Sequence, residues 1–387
     1  MPLTGRFLRI PSPEEDYRAF LPFPLPPKPA IRLEEQDQDL IEKANRALGR
    51  LDGLTTLLPD ADLFIYFYVR KEAILSSQIE GTQSSLSDLL LFEGNGLVSG
   101  IPPDIREVSN YVAGMHHGLK RIKEDNFPVS NRLIREIRAI LLSTGRGSEK
   151  EPGEFRRSQN WVGGTRPGNA LFVPPPPEHV AECMANLELY LHDKPKRTPV
   201  LIKAAIAHVQ FETIHPFLDG NGRLGRLLIT LLLCAEAALQ EPLLYLSLYF
   251  KSNRQEYYDR LQRVRIDGDW RGWLRFFLEG VRETAQQATA TARRILERFE
   301  YDRNQIDKLG SKAGSVLRLH QLLQRRPVLS IPYAAKSLQL STPTANSAMK
   351  KLLELDIVME TTGKRRDRMF MYMPYMRILE EGTEPIS

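Results

Sequence analysis

Cysteine is almost absent from this chain: Cys183 and Cys234 are the only two among 387 residues. That count excludes a disulfide-built scaffold and a cysteine-ligated zinc site. Both cysteines sit in apolar, helix-like surroundings, which suits buried free thiols. Long hydrophobic runs are missing too. The longest, Leu227 to Leu233, is too short to span a bilayer. The opening residues, Met1-Pro2-Leu3-Thr4-Gly5-Arg6, lack the apolar region and cleavage site of a secretory signal. A cytoplasmic protein without a membrane partner is expected. Neither sign of charge is in large excess. A net charge of +5 permits nucleic-acid contact without arguing for it. No Gly-Lys-Ser/Thr is present either, which excludes a Walker phosphate loop.

What is present describes a globular protein, 42% hydrophobic and 26% charged. This length exceeds what one ordinary core holds, so separate structural units are expected. We place them at residues 1–100, 101–305 and 306–387. A proline-rich stretch to about Ala30 reads as an extended arm packed on the body. Apolar residues at helical spacing then predict helices over 34–48, 62–79, 84–92, 104–123 and 130–142. Glycines punctuate residues 152–177, where the pieces Gln159–Val162 and Ala170–Val173 read as a β-hairpin, at about 158–174, leading into four consecutive prolines. Helices resume at 178–192, 200–214, 224–239, 251–266 and 270–299. The fold class is therefore mainly α. From about Ser311 the order is helix, short helix, helix and two strand-like pieces around the basic tip Gly363–Arg368. That order matches a winged helix-turn-helix.

The richest stretch is His215-Pro216-Phe217-Leu218-Asp219-Gly220-Asn221-Gly222-Arg223-Leu224-Gly225-Arg226. It formally satisfies the dinucleotide pattern G-x-G-x-x-G, and Glu241 even lies near the offset of a ribose carboxylate. The reading fails because an Ala-rich helix, not a buried strand, runs into the loop. The residue types still demand an anion. Gly220 and Gly222 can turn successive N–H groups toward one point, and the following helix adds its positive end. Arg223 and Arg226 can fork onto phosphate oxygens. Asp219 offers oxygen ligands suited to Mg²⁺ beside phosphates. His215 is placed to take a proton from a hydroxyl attacking phosphorus, while Phe217 anchors the loop in the core. The remaining histidines form no metal-ligand constellation.

These twelve residues resemble the signature of Fic-domain proteins, without departure at its defining positions. The resemblance implies transfer of AMP from ATP to a Ser, Thr or Tyr hydroxyl of a target protein, with release of pyrophosphate. By resemblance His215 is the general base and Asp219 holds Mg²⁺. Gly220, Asn221, Gly222 and Arg223 hold the α- and β-phosphates, Leu224 and Gly225 belong to the same nucleotide-binding run, and Arg226 meets the γ-phosphate. The hairpin resembles the family's flap, which aligns a target segment as an added strand. Upstream, Ser76-Ser77-Gln78-Ile79-Glu80-Gly81 resembles the family's inhibitory motif. Ser76 and Glu80 share a helix face, and a carboxylate paired with Arg226 would remove the γ-phosphate's partner. In some members this glutamate also supports removal of AMP by positioning water. Asn253 and Tyr258 are the candidates for adenine contact. Self-modification and a homodimer are the further partners considered.

The C-terminal unit keeps two uses open. Residues 342–355 could enter a DNA major groove, with Lys364, Arg365, Arg366 and Arg368 on phosphates. The face carrying Thr342, Thr344, Asn346, Lys350 and Lys351 is only mildly basic, which equally suits protein contact. The rival to an adenylyltransferase is thus a DNA-binding regulator whose core senses nucleotide.

Overall fold

The apolar sequences on either side of His215 form two packed helices in which nearly every residue is buried. The rest of the chain is arranged around them. The computed structural model describes residues 4–12, 15–54, 61–95, 104–144, 153–362 and 368–385. In chain order it begins with the strands β1 (Gly5–Ile10) and β2 (Tyr17–Pro22) and the helices α1 (Glu35–Leu54), α2 (Ala61–Ile79) and α3 (Leu86–Asn95). The central part holds α4 (Ile105–Lys123), α5 (Asn131–Leu141), α6 (Pro177–Leu191), α7 (Val200–Ile214) and α8 (Asn221–Ala235). It continues with α9 (Ser247–Ser252), α10 (Arg254–Asp267) and α11 (Trp270–Asp307). The C-terminal part holds α12 (Ala313–Arg325), β3 (Val328–Ser330), α13 (Ile331–Leu338), α14 (Thr342–Glu354), β4 (Met359–Glu360), β5 (Met369–Met371) and α15 (Met373–Glu380). Among the described residues no helix is long and apolar enough to cross a membrane.

The architecture is mostly helical with two small antiparallel sheets. Helices α7 and α8 lie side by side. α4 and α5 pack on α8, α6 and α11 pack on α7, and α2 bridges α4, α8 and α9. The long α11 starts where Gly268 takes a left-handed φ of 71° and Asp269 accepts a hydrogen bond from the Gly272 N–H at 2.9 Å. Such a cap satisfies a helix N–H that has no partner within the helix. Trp273 of α11 is fully buried, and its indole N–H donates to the Ala205 carbonyl at 2.8 Å. That bond ties α11 to α7.

Several elements differ from the sequence reading. The proline-rich arm begins with a hairpin, β1 on β2, in register from Gly5 opposite Pro22 to Ile10 opposite Tyr17. Pro22 closes the second strand, and the other prolines of 22–29 follow it. The expected helix over 251–266 divides into α9 and α10 at Asn253, whose φ of −117° is not helical. The expected helix over 224–239 begins three residues earlier, at Asn221. The hairpin at 158–174 narrows to one bridge pair, Val162 with Phe172, beyond which the chain turns through Pro167–Asn169. In the C-terminal part a third strand joins the two expected ones, giving the antiparallel order β3-β5-β4. The tip Gly363–Asp367 lies outside the described residues.

The C-terminal part shares the core of the rest. Phe299 of α11 contacts Tyr372 and Tyr375 at ring-centroid distances of 5.9 and 4.8 Å, and the Tyr372 hydroxyl donates to Asp302 at 2.5 Å. Removing a large buried ring leaves a cavity. Trp273→Ala is therefore expected to lower stability by about 3–5 kcal/mol, read as a shift of the urea unfolding midpoint.

Candidate active site

α7 stops because the chain must turn. His215 adopts the left-handed region, φ 48° and ψ 60°, while its N–H still donates to the Phe211 carbonyl. For a residue with a side chain this conformation costs roughly 1–2 kcal/mol, so the surroundings must hold it. The Arg156 guanidinium does so, donating through Nε to the His215 carbonyl at 2.9 Å and through Nη2 to the Pro175 carbonyl at 2.5 Å. The Asn160 amide donates to the carbonyls of His215 and Phe217 at 3.2 and 2.8 Å. Phe217 is fully buried against Phe155 and under the Arg138 guanidinium. Asn221 then closes the loop: its Oδ1 accepts from the Phe217 N–H at 3.0 Å and its Nδ2 donates to the Phe217 carbonyl at 2.8 Å. The side chain of Asn221 is thus spent on loop shape.

Gly220 takes φ 79° immediately before α8, a turn for which glycine is suited. Asp219 Oδ1 accepts from the Gly220 N–H at 2.6 Å. Glu80, His215, Asp219, Gly220, Asn221, Gly222 and Arg223 line one cavity of about 290 Å³. The loop therefore presents a helix N-terminus, a histidine and a carboxylate to the same space. Leu224 and Gly225 are buried behind it. A Cβ on Gly225 would lie 2.6 Å from Glu212 Oε1, so glycine permits that close packing.

The two arginines are both inside the protein and both paired. Arg223 Nη1 donates to Glu107 Oε2 of α4 at 3.0 Å. Arg226 donates from Nε to the Ser76 hydroxyl at 2.9 Å, and from Nη2 to the Ser76 carbonyl at 2.9 Å and to Glu80 Oε1 at 2.7 Å. The Arg226 side chain is 1% exposed and that of Glu80 34%. Burial works to raise the Glu80 pKa, but the charge and hydrogen bond of Arg226, with Arg223 and His215 beyond, hold it below the ordinary value. Gly81 follows at φ 96° and releases the chain from α2. Glu80 lies so close over the loop that a Cβ on Gly222 would stand 2.2 Å from its Oε1.

Burial, reinforced by Arg265 and Arg156, lowers the His215 pKa to about 4. Its Nδ1 is buried without a hydrogen bond and stands 3.8 Å from Glu212 Oε2. Burial in turn raises Glu212 to about 7. Of the two candidates outside the loop, Asn253 donates to the Tyr249 carbonyl at 3.0 Å. Tyr258 is 37% exposed and feels the charges of Glu80 and Arg226. Among the described residues no group of three or more His, Cys, Asp or Glu side chains could hold a metal ion.

Residues 38–120 match the Fic/DOC family N-terminal description, and residues 128–233 match the Fic/DOC family description. Over these two stretches the chain is similar to the Fic/DOC family. The protein adenylyltransferase Fic of Aedes aegypti is 40% identical over 261 residues, 65% of this chain and 48% of that protein. Its namesake in Drosophila melanogaster is 34% identical over 259 residues, with 65% and 48% covered. The chain thus spans about half the length of the curated relatives it matches. Among solved structures, a Fic family protein from Desulfovibrio desulfuricans G20 superimposes with a TM-score of 0.58 at 22% identity, over 89% of this chain and 98% of that one. A Fic domain containing signaling protein from Bacteroides thetaiotaomicron gives 0.51 at 20% identity, over 64% of this chain and 95% of that one. At these identities the likeness is one of fold.

Within this Fic fold the loop and the end of α2, 146 positions apart in the chain, meet at Arg226. Sequence reasoning missed Glu107, Arg156, Asn160, Arg265 and Glu212. Glu212 carried a local signal, one helical turn before His215. Glu107 carried none, because it reaches Arg223 from a helix 116 positions away.

Two outcomes follow. The His215 ring should titrate near pH 4 rather than near the ordinary ~6.5, measured from its Cε1 proton by NMR. Because its folded pKa is depressed, its contribution to stability is complete above about 6.5 and is lost as pH falls toward 4. Glu107→Ala leaves the buried Arg223 charge unpaired and should cost about 3–5 kcal/mol, checked by denaturant unfolding.

Proposed function

We propose that the chain is a protein adenylyltransferase, moving AMP from ATP to a hydroxyl of a target protein, itself included, and that Glu80 holds the reaction off. One observation carries the reading: a single cavity lined by Glu80 joins His215, whose protonation burial disfavours, to the glycine loop, and Glu80 is tied to the buried Arg226. The loop N–H groups, the α8 N-terminus, Arg223 and Arg226 hold the triphosphate. His215 is unprotonated at neutral pH and accepts the target's hydroxyl proton. The hydroxyl oxygen bonds to the α-phosphorus as the bond to the departing pyrophosphate breaks.

Asp219 is the carboxylate that would hold Mg²⁺. One carboxylate beside a phosphate grip, without a protein-only metal cluster among the described residues, fits an ion that binds together with the nucleotide. When bound, such an ion neutralises phosphate charge. Tyr258 and Asn253 are assigned to adenine, at the α9–α10 break. The Val162–Phe172 bridge supports a flap on which a target segment aligns, with the 79% exposed Leu171 at hand to contact it.

Glu80 inhibits by competition. While its carboxylate occupies Arg226, the γ-phosphate lacks that partner and meets a like charge. ATP then lies with its α-phosphorus displaced from the line of attack. A DNA-binding role of the C-terminal unit rests on the exposed α14 face of Thr342, Thr344, Asn346 and Lys350. Sequence-selective, salt-dependent DNA retention by the full chain would favour that role.

Incubation with labelled ATP and Mg²⁺ tests the main reading. Glu80→Gly should label itself at least about tenfold more than the parent, one tenfold step being about 1.4 kcal/mol at Arg226. His215→Ala in the Glu80→Gly background should lose labelling by about 10²-fold or more. Equal labelling of Glu80→Gly and parent, or undiminished labelling without His215, would overturn it.

A further inference from the structure

The inhibitory helix α2 is gripped from two sides. On one side Arg226 holds Ser76 and Glu80. On the other a groove formed with α9 is filled by the chain's own segment after α15. Three side-chain donors in the groove read the backbone of that segment in succession. Lys71 Nζ donates to the Glu381 carbonyl at 2.7 Å, Lys251 Nζ to the Gly382 carbonyl at 3.1 Å, and Gln78 Nε2 to the Thr383 carbonyl at 2.8 Å. Lys251 also donates to the Glu384 carbonyl.

The contact is buried and built from both ends. Lys71 is 3% exposed, Gln78 1% and Thr383 2%. Thr383 turns back on Glu380, with its N–H and its hydroxyl each 2.8 Å from the Glu380 carbonyl. Arg294 of α11 grips both Glu381 carboxylate oxygens at 2.6 Å. The segment is therefore anchored on the long helix while its carbonyls point into α2. Gln78 matters most, because it lies inside the stretch that ends at Glu80. Its Nε2 also donates to the Ser84 carbonyl at 3.1 Å, tying down the exit from α2. Loss of the segment leaves buried donors without partners, which loosens the helix end that presents Glu80.

We propose that residues 381–384 form a strap that holds α2 in its inhibitory seat, so that withdrawing the strap releases Arg226 from Glu80. The strap continues directly from α15 and so belongs to the C-terminal unit. A displacement of that unit is thereby transmitted to the catalytic loop through backbone contacts rather than through the nucleotide. Carbonyl recognition does not depend on the strap's side chains, whereas its anchor at Arg294 does. This inference rests on the inhibitory reading of Glu80.

The test compares self-labelling by labelled ATP in the parent, Gln78→Leu, the chain truncated after Glu380, Glu80→Gly, and each strap variant combined with Glu80→Gly. Amide exchange over residues 71–80 is followed in parallel. The strap predicts labelling several-fold above the parent in Gln78→Leu and in the truncated chain, with faster exchange over 71–80. It also predicts no further rise when either change is added to Glu80→Gly. The combined variants report whether the altered proteins still fold around a working site. Parent-level labelling of Gln78→Leu, beside a responsive Glu80→Gly and an active double variant, overturns the strap alone. A Glu80→Gly protein no more active than the parent overturns the inhibitory reading and the strap with it.

Discussion

A guanidinium in a helical core must be paired, and Arg226 organises this molecule because it is. Its side chain is almost wholly withdrawn from water, and its donors go to Ser76 and Glu80. An unpaired charge in that position would be far costlier than a surface one. The arginine therefore needs an anion at all times, and two can serve: the carboxylate of α2 or a phosphate brought in by ligand. In the function proposed above both seek the same fork of N–H groups, so inhibition and nucleotide positioning are one equilibrium. Burial works against the charge of Arg226, and the neighbouring Glu80, with Tyr257 and Tyr258, more than offsets it. In the function proposed above, this pair is what closes the site. With Glu80 still 34% exposed on its outer side, the pair also remains open to exchange.

The same burial that makes Arg226 demanding makes His215 usable. Removal from water, with Arg265 and Arg156 nearby, keeps the imidazole neutral where an exposed one would be partly charged. Arg156 and Asn160 grip the backbone on both sides of Pro216, and Asn221 braces the loop from within. His215 and the glycine turn are therefore fixed relative to each other before any ligand arrives. Positioning of this kind is where much of the barrier to phosphoryl transfer is removed. Glu107 does for Arg223 what Glu80 does for Arg226, but from a nearly closed interior, so its pair reads as scaffold rather than switch.

Much of the fold was legible because its signals are local. Helical spacing located α2, α4 to α7 and α11 to within a few residues at most of their starts. Breaks inside apolar runs were not legible. Asn253 interrupts a stretch whose spacing reads as one helix, and the rings of Phe250 and Tyr257 on either side of the break stack on each other. The N-terminal hairpin was hidden by the prolines that follow it. Its second strand is fixed from outside, by the Phe20 N–H on the Val173 carbonyl.

The sequence alone determined the chemistry on offer. His215, Asp219, the Gly220–Gly222 turn and two arginines one helical turn apart are neighbours in the chain, so their joint use follows from covalent order and helix geometry. It also determined that Ser76 and Glu80 share a face of α2. Family resemblance implied that Glu80 meets Arg226, but which charges actually meet is decided in the tertiary structure. Glu80 reaches Arg226 across 146 positions and Glu107 reaches Arg223 across 116. The carbonyls after α15 reach Gln78 across 305. No local pattern encodes such pairings. They follow from where the packed helices bring their ends, and from the rule that a charge or polar group taken out of water must find a partner there.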